Sequence, residues 1–406
     1  MTKQATRKHW QVMMVCCGLS AASIGLIINA MGVFYIPVAQ SLGVLQGTIA
    51  IQGTLTLMLG SFMSFVIPKL LDRYPLRLVL WCSVLVASIS TMLMGTASHI
   101  LVFHGLSAVR GVAAAFFSFV PLTLIVTRWF EKKHGLVTSL VLGLSGMAGG
   151  LFSPLFASLI GSHGWDVAYL VKGLAILGFS LPAMLYRFDL SPQTQGLAPY
   201  GYEAPTETVK AGASLDAPLV LKSKRFAAFL GFVIIAGSVT GIAQHLPGFA
   251  LSIGQPLETG ALLLSAAMVG NVLFKVVIGL LSDSVGPVKA CLAMTVINIV
   301  GIVMFLSVTT AQWLMVGAFL FGASFSVGSV GAALLTRHLF GNEHYGKVIP
   351  FVGLMGGSGV AVFLMVVGYL YDFTGTHTLT FWVVLVGHGI GLALFAKALR
   401  QPASVD

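Results

Sequence analysis

Charge is what this chain has least of. Only 8% of its 406 residues are Asp, Glu, Lys or Arg, against about a quarter in an ordinary soluble domain. Acid is scarcer than base: twelve Asp and Glu face 22 Lys and Arg, a formal net charge of +10. Cysteine is sparse as well. The four thiols (Cys16, Cys17, Cys82 and Cys291) have no metal-ligand spacing and are expected to be free and buried within spans. No zinc motif, nucleophile elbow or phosphate loop occurs, so neither an enzyme nor a bound metal or cofactor is expected. These shortages exclude a water-soluble globular domain and leave a polytopic membrane protein.

What fills the chain is apolar: 57% of it is hydrophobic and its mean hydropathy is +0.96. Runs of about 20 or more apolar residues are long enough to cross a bilayer as helices. Twelve such spans are predicted, over 11–40, 46–71, 76–98, 100–127, 133–161, 166–188, 224–252, 258–283, 287–309, 311–340, 345–372 and 376–399. The first span has no small-residue cleavage site after it and is expected to be a retained helix rather than a signal peptide.

The cations fix an orientation. Arg110, Lys172 and Lys275 lie inside spans; the other Lys and Arg sit in the tails, in the even-numbered loops or at the span ends beside them. The odd-numbered loops have none. This asymmetry places both termini and the central loop on the cytoplasmic side of a membrane, expected to be a bacterial inner membrane. It also accounts for the net positive charge, which is spread over several loops and does not point to nucleic acid.

The chain repeats itself. "PKLLDRYPLRLVL" (68–80) matches "GLLSDSVGPVKACL" (279–292), with Asp72 and Asp283 lying 211 residues apart. "TRWFEKKHGLV" (127–137) matches "TRHLFGNEHYGKV" (336–348), with Arg128 and Arg337 lying 209 apart and Gly135 and Gly346 lying 211 apart. Two matches at nearly one offset indicate two parallel halves. The expected domains are a six-helix bundle over 1–188, a cytoplasmic linker over 189–223 and a second six-helix bundle over 224–406. The segment 191–218, rich in Pro, Gly, Thr and Ala, reads as flexible.

With these halves and loops the chain resembles the major facilitator superfamily. The loop pattern is carried by Asp72, Arg73 and Arg77 in the first half, with Pro68 and Pro75 in place of glycines. Gly279, Asp283, Gly286 and Lys289 carry it in the second. The resemblance implies an all-α membrane protein of twelve transmembrane helices in two pseudo-symmetric bundles, working by alternating access around a central site. Asp72, Arg73, Arg77, Asp283, Lys289, Arg128 and Arg337 would then act as gating charges; for most loop cations plain topology setting is the simpler account.

Three stretches narrow the branch: "RWFEKKHGLVTSLVLGLSGMAGG", "FGASFSVGSVGAALLTRHLFGNEHYGKV" and "GYLYDFTG". They resemble the monocarboxylate transporter and oxalate:formate antiporter branch. That branch implies an essential cation in the eighth span, four residues before a glycine and ahead of a Ser-Asp turn. Lys275, Gly279, Ser282 and Asp283 occupy that pattern. The chain departs from the animal carriers at Asn29, where they hold a lysine, and at Asn271, where they hold the aspartate credited with carrying a proton. The oxalate:formate antiporters have a second cation in the eleventh span, where this chain has only Lys347, at the cytoplasmic end.

The charge balance supports the same residue. A cation near the middle of a bilayer costs roughly 2.5–3.5 kcal/mol on insertion scales. Lys275 lies on a stripe with Ala267, Asn271 and Gly279, better suited to a cavity wall than to lipid. No acidic residue lies mid-span: Asp72, Asp283 and Asp372 are at span ends, Asp166 and Glu258 at outer edges. Lys275 therefore lacks an evident carboxylate, and an anionic substrate is the natural counterion. The bland reading is an internal ion pair or hydrogen-bond anchor. Arg110 offers a planar fork for a carboxylate or braces the first helix. Lys172, nearer an outer edge, is expected to snorkel. Asn29, Asn271, Gln244 and His245 are expected to shape the site, with Tyr35, Phe325 and Tyr369 among its aromatics and His104 and His388 as further titratable groups.

The expected activity is secondary transport of a small organic anion, a monocarboxylate, by a monomer in contact with membrane lipids. Protons or a counter-anion are open as coupled species. The rivals are an exporter of drugs or other hydrophobic solutes, which would need an intramembrane acid, and a non-transporting receptor.

Overall fold

The computed structural model describes residues 3–63, 66–202 and 217–401. Among them, eleven helices are long and apolar enough to cross a membrane, and a bent helix pair brings the number to twelve. In chain order these are α1 (Thr6–Leu42), α2 (Gln46–Met63 with Ile67–Arg73), α3 (Leu76–Met94), α4 (Ile100–Trp129), α5 (Leu140–His163) and α6 (Trp165–Leu185). They continue as α7 (Lys224–Ser252), α8 (Leu257–Val285), α9 (Pro287–Ser307), α10 (Ala311–Gly341), α11 (Lys347–Thr374) and α12 (Thr378–Arg400). Large apolar side chains on their outer faces, such as Leu101, Leu151, Leu280 and Val386, are exposed. In a bilayer, lipid tails cover such side chains without penalty.

The helices end where the local chemistry changes. Between α8 and α9, Gly286 has φ 87° and Pro287 opens the next helix. Proline suits a first helical position because its missing N–H would have no partner there. Gly341, at φ 74°, breaks the helix that would otherwise run from α10 into α11. In α1 the backbone first widens into a π-helical stretch, Ala21–Asn29, then tightens into a 3-10 turn, Gly32–Phe34. Such irregular turns recur at functional positions in helices.

The chain divides into two compact units. The first takes Met1–Val44 and Ile51–Thr206; the second takes Leu45–Ala50 and Glu207–Asp406. The opening turn of α2 therefore packs with the second unit, a detail that a cut at the central loop does not anticipate.

Part of that loop is not a flexible tether. Tyr200 N–H donates to the Trp129 carbonyl at 2.8 Å, and its own carbonyl accepts from Glu131 and Lys132 N–H, both at 3.0 Å. Trp129 Nε1 donates to the Asp189 carbonyl at 3.0 Å. His9, fully buried, bonds the Ala198 carbonyl at 3.0 Å and lies edge-on to Trp129. An aromatic cluster thus pins 189–202 to the ends of α1 and α4, although the composition of that stretch suggested a coil. The rest of the expected linker, 203–216, lies outside the described residues. The thiols are free, as expected, with Cys16, Cys17 and Cys291 buried; Cys82 is exposed on α3 rather than buried.

Candidate functional site

In the first unit the polar residues gather around Arg110. Its side chain is fully buried on α4. One guanidinium nitrogen donates to Thr56 Oγ1 at 3.1 Å and approaches Gln52 Oε1 at 3.5 Å; the other lies 3.3 Å from Met94 Sδ. Tyr169 of α6 donates its hydroxyl to the same Gln52 oxygen at 3.1 Å. Among the described residues, none of the hydrogen-bond acceptors of Arg110 is a carbonyl of α1, so the bracing alternative is not how it is held. Gly111 lets this happen: a Cβ there would lie 2.6 Å from the Thr56 Cα, so α2 and α4 touch backbone to backbone.

Tyr35 is buried in α1, at the start of the helical segment that follows the 3-10 turn. Asn29 closes the π-helical stretch and donates from Nδ2 to the Ser145 carbonyl of α5 at 3.2 Å. A Cβ on Gly149 would stand 2.5 Å from the Asn29 Cβ, so the asparagine is clamped on α5.

Lys172 departs from expectation. It does not snorkel: its side chain is fully buried. Its ammonium sits 4.6 Å from the centroid of Phe34, 5.6 Å from that of Tyr169 and 6.0 Å from that of Phe156. Depth within the span suggested an edge position, but the irregular turn of α1 brings Phe34 over it. The usable sequence signal was "YLVK", where Tyr169 and Lys172 are three residues apart and so share a helix face. Nothing in sequence pointed to Gln52 or Thr56.

In the second unit Lys275 is half-buried on α8. Among the described residues it has no hydrogen-bond or ion-pair partner; the ion pair among them is Arg128–Asp72. The stripe that carries it changes character along its length. At Ala267 and Asn271 it is pressed on α10, where a Cβ on Gly322 would lie 2.6 Å from both the Ala267 oxygen and the Asn271 nitrogen. At Gly279 it opens, with nothing within 4 Å of a Cβ. Asn271 is buried, with Nδ2 3.9 Å from Met268 Sδ. Phe325, half-buried, is edge-on to Phe321.

Gln244 and His245 lie buried where α7 tightens into a 3-10 turn, well away in sequence from Lys275. His245 Nε2 bonds the Leu364 carbonyl at 2.8 Å and Nδ1 faces Gln46 Nε2 at 3.3 Å. The first contact needs a proton on Nε2 and leaves Nδ1 as acceptor. Tyr369 packs against Gly47, and its hydroxyl is 3.4 Å from Thr48 Oγ1. Beside it, the Asp372 carboxylate accepts from the backbone N–H groups of Gln46 and Gly47, at 3.0 and 2.7 Å. A carboxylate on the first N–H groups of a helix is a favourable cap; from sequence Asp372 was noted only as a span-end acid, not as a site residue. His377, in the turn before α12, stacks on Tyr371 at 4.6 Å. Burial, reinforced by the neighbouring His245, holds its imidazole down at about 3.

The loop charges behave unequally. Arg128 and Asp72 pair at 3.5 Å. Arg77 donates Nε to the Met184 carbonyl at 3.3 Å, and Arg73 lies over the Tyr74 ring. Asp283, Lys289 and Arg337 are exposed. No group of three or more His, Cys, Asp and Glu side chains able to hold a metal occurs among the described residues.

Two long apolar bundles with matching loop motifs agree with the sequence profile of the Major Facilitator Superfamily, which matches residues 13–262 and 228–406. The chain belongs to that superfamily. Among curated proteins it is similar to monocarboxylate transporter 13 of Rattus norvegicus, 23% identical over 95% of this chain and 88% of the relative. The Bos taurus protein of the same name is 26% identical over 76% of this chain and 70% of its own length. Among solved structures, nucleoside transporter NupG aligns with TM-score 0.74 at 14% identity, covering 97% of this chain and 99% of that one. A bacterial homologue of the human lysosomal transporter Spinster, in an inward-facing and occupied conformation, aligns over the whole of both chains with TM-score 0.70 at 14% identity. At such identities the structural likeness speaks for the fold. As a facilitator, the protein is an integral membrane transporter of a small molecule.

Proposed function

We propose that this facilitator carries a small organic anion, a monocarboxylate, by alternating access, with Lys275 binding the carboxylate. The observation that carries the reading is the state of Lys275: a half-buried ammonium within a span, next to the open flank at Gly279, with no ion-pair or hydrogen-bond partner among the described residues. An unneutralised cation at that depth is expensive, and a substrate carboxylate supplies the missing charge. The names of the curated relatives support the same class. Arg110, Asn29, Tyr35, Asn271, Gln244, His245, Phe325 and Tyr369 are the further substrate-handling residues, and Asp72, Arg73, Arg77, Asp283, Lys289, Arg128 and Arg337 are the gating charges. The protein works as a monomer in a bacterial inner membrane, both termini cytoplasmic, moving solute rather than catalysing a reaction. Since Asn271 stands where the animal carriers have an aspartate, coupling runs through exchange, through the substrate gradient or through a proton on another group; an imposed pH gradient across proteoliposomes separates these.

The test is competition. Lactate, pyruvate and formate are expected to reduce uptake of a labelled monocarboxylate into proteoliposomes, and a lipophilic cationic dye to leave it unchanged. Dye transport with indifference to all three acids would instead favour an exporter of hydrophobic solutes.

A further inference from the structure

The first unit holds a pair of buried cations, besides Lys275 in the second. Arg110 and Lys172 are both fully buried. No acidic side chain pairs with either among the described residues. Three donor atoms of the same cluster have no hydrogen-bond partner there: Arg110 Nε, Lys172 Nζ and Gln52 Nε2. The cluster is continuous, because Gln52 accepts from both Arg110 and Tyr169, and Tyr169 forms one wall of the aromatic cage around Lys172.

Burying one charge without a counterion is costly, and burying two of the same sign is more so. Cation–π contact with Phe34, Tyr169 and Phe156 offsets part of that cost for Lys172. It does nothing for Arg110 Nε or Gln52 Nε2. Rings also cannot neutralise a charge; they only favour its position. All three orphaned atoms are donors, so the group that satisfies them must be an acceptor. An acceptor that also cancels positive charge is an anion. A planar carboxylate matches the guanidinium edge while its second oxygen takes an ammonium or amide proton.

We propose that Arg110, Lys172 and Gln52 form a carboxylate-binding site inside the first unit, with Phe34, Phe156 and Tyr169 holding the Lys172 ammonium in place. The physiological sense of this site rests on the anion-transport reading above, but its occupancy is measurable without transport. Its residues all belong to the first unit, whereas Lys275 belongs to the second. Lys172, on α6, is the position that gives the site its second charge.

The experiment is equilibrium binding to purified full-length protein in detergent, read by calorimetry. The probes are formate, lactate and oxalate, with chloride at matched ionic strength as control. Wild-type protein is expected to bind at least one of the three saturably. Lys172→Met, which keeps the apolar stem against the rings, is expected to weaken binding by about tenfold or more, the scale of one lost charge-assisted hydrogen bond. Lys172→Arg is expected to restore most of the affinity, and it provides the readout if Lys172→Met does not fold. A Lys172→Met protein that folds and binds as tightly as wild type would overturn the proposal and reduce Lys172 to an aromatic-caged anchor. So would failure of all three acids to bind the wild type, or a Lys172→Arg variant that folds but does not bind. Uptake by Lys275→Ala separates the two claims: lost transport with retained Lys172-dependent binding supports both, and normal transport with retained binding removes only the role of Lys275.

Discussion

Lys275 and Lys172 illustrate opposite ways of housing an ammonium in a membrane protein. Lys275 stands half-buried beside the open flank at Gly279; Lys172 is sealed under three aromatic rings. The sequence distinguishes Lys275 by its pattern with Gly279, Ser282 and Asp283, and by the lack of a mid-span acid. It misjudges Lys172 because burial there depends on a local departure from the regular helix in α1, which periodicity does not encode. Arg128 allows a residue-scale prediction. Its pair with Asp72 is 3.5 Å long, with side chains 40% and 64% exposed, and exposed pairs contribute about 0–1 kcal/mol. Arg128→Ala should therefore leave the melting temperature in detergent within a few degrees of wild type, as about 1 kcal/mol or less implies. A large fall would mean that the pair is structural rather than a gating contact.

At the scale of helices, close approach decides more than hydrophobicity does. A Cβ on Gly359 of α11 would lie 2.5 Å from the Ile234 carbonyl of α7 and 2.8 Å from Ser238 Oγ. Gly359→Ala should lower stability by about 1–3 kcal/mol through overpacking, read as a drop in melting temperature; an unchanged melting temperature would show that α7 yields at no cost. The glycine-rich composition of α5 and α11 made such contacts legible in general. Which glycine touches was not legible: Gly353 of the same helix has nothing within 4 Å. His377 gives the pH dependence. Its imidazole falls from the usual 6.5 to about 3 because it is buried, so the folded state holds it neutral while the unfolded chain protonates near 6.5. The stabilisation from keeping it neutral is present above pH 6.5 and is lost progressively as pH falls from there towards 3. Thermal stability should decline over that window, and His377→Asn should flatten the decline; an identical decline in the variant would place the sensitive group elsewhere.

For the whole molecule, the membrane class, the number of spans and the superfamily were legible because they follow from apolar run length and a repeated loop motif. The unit boundary was less so: the first turn of α2 joins the second unit through its backbone bonds to Asp372, and no composition rule marks such a cap across several hundred residues. The docked stretch 189–202 was missed for a related reason, since turn-forming residues there are held by an aromatic cluster contributed from elsewhere in the chain. The proposed mode of cargo recognition was legible as an imbalance of charge and as the pattern around Lys275. The most direct measurement of that idea is uptake of a labelled monocarboxylate into proteoliposomes containing wild type or Lys275→Ala, with equal incorporation and matching melting curves. The account predicts saturable uptake by the wild type and none above empty liposomes for the variant. Uptake by Lys275→Ala at the wild-type rate would contradict it.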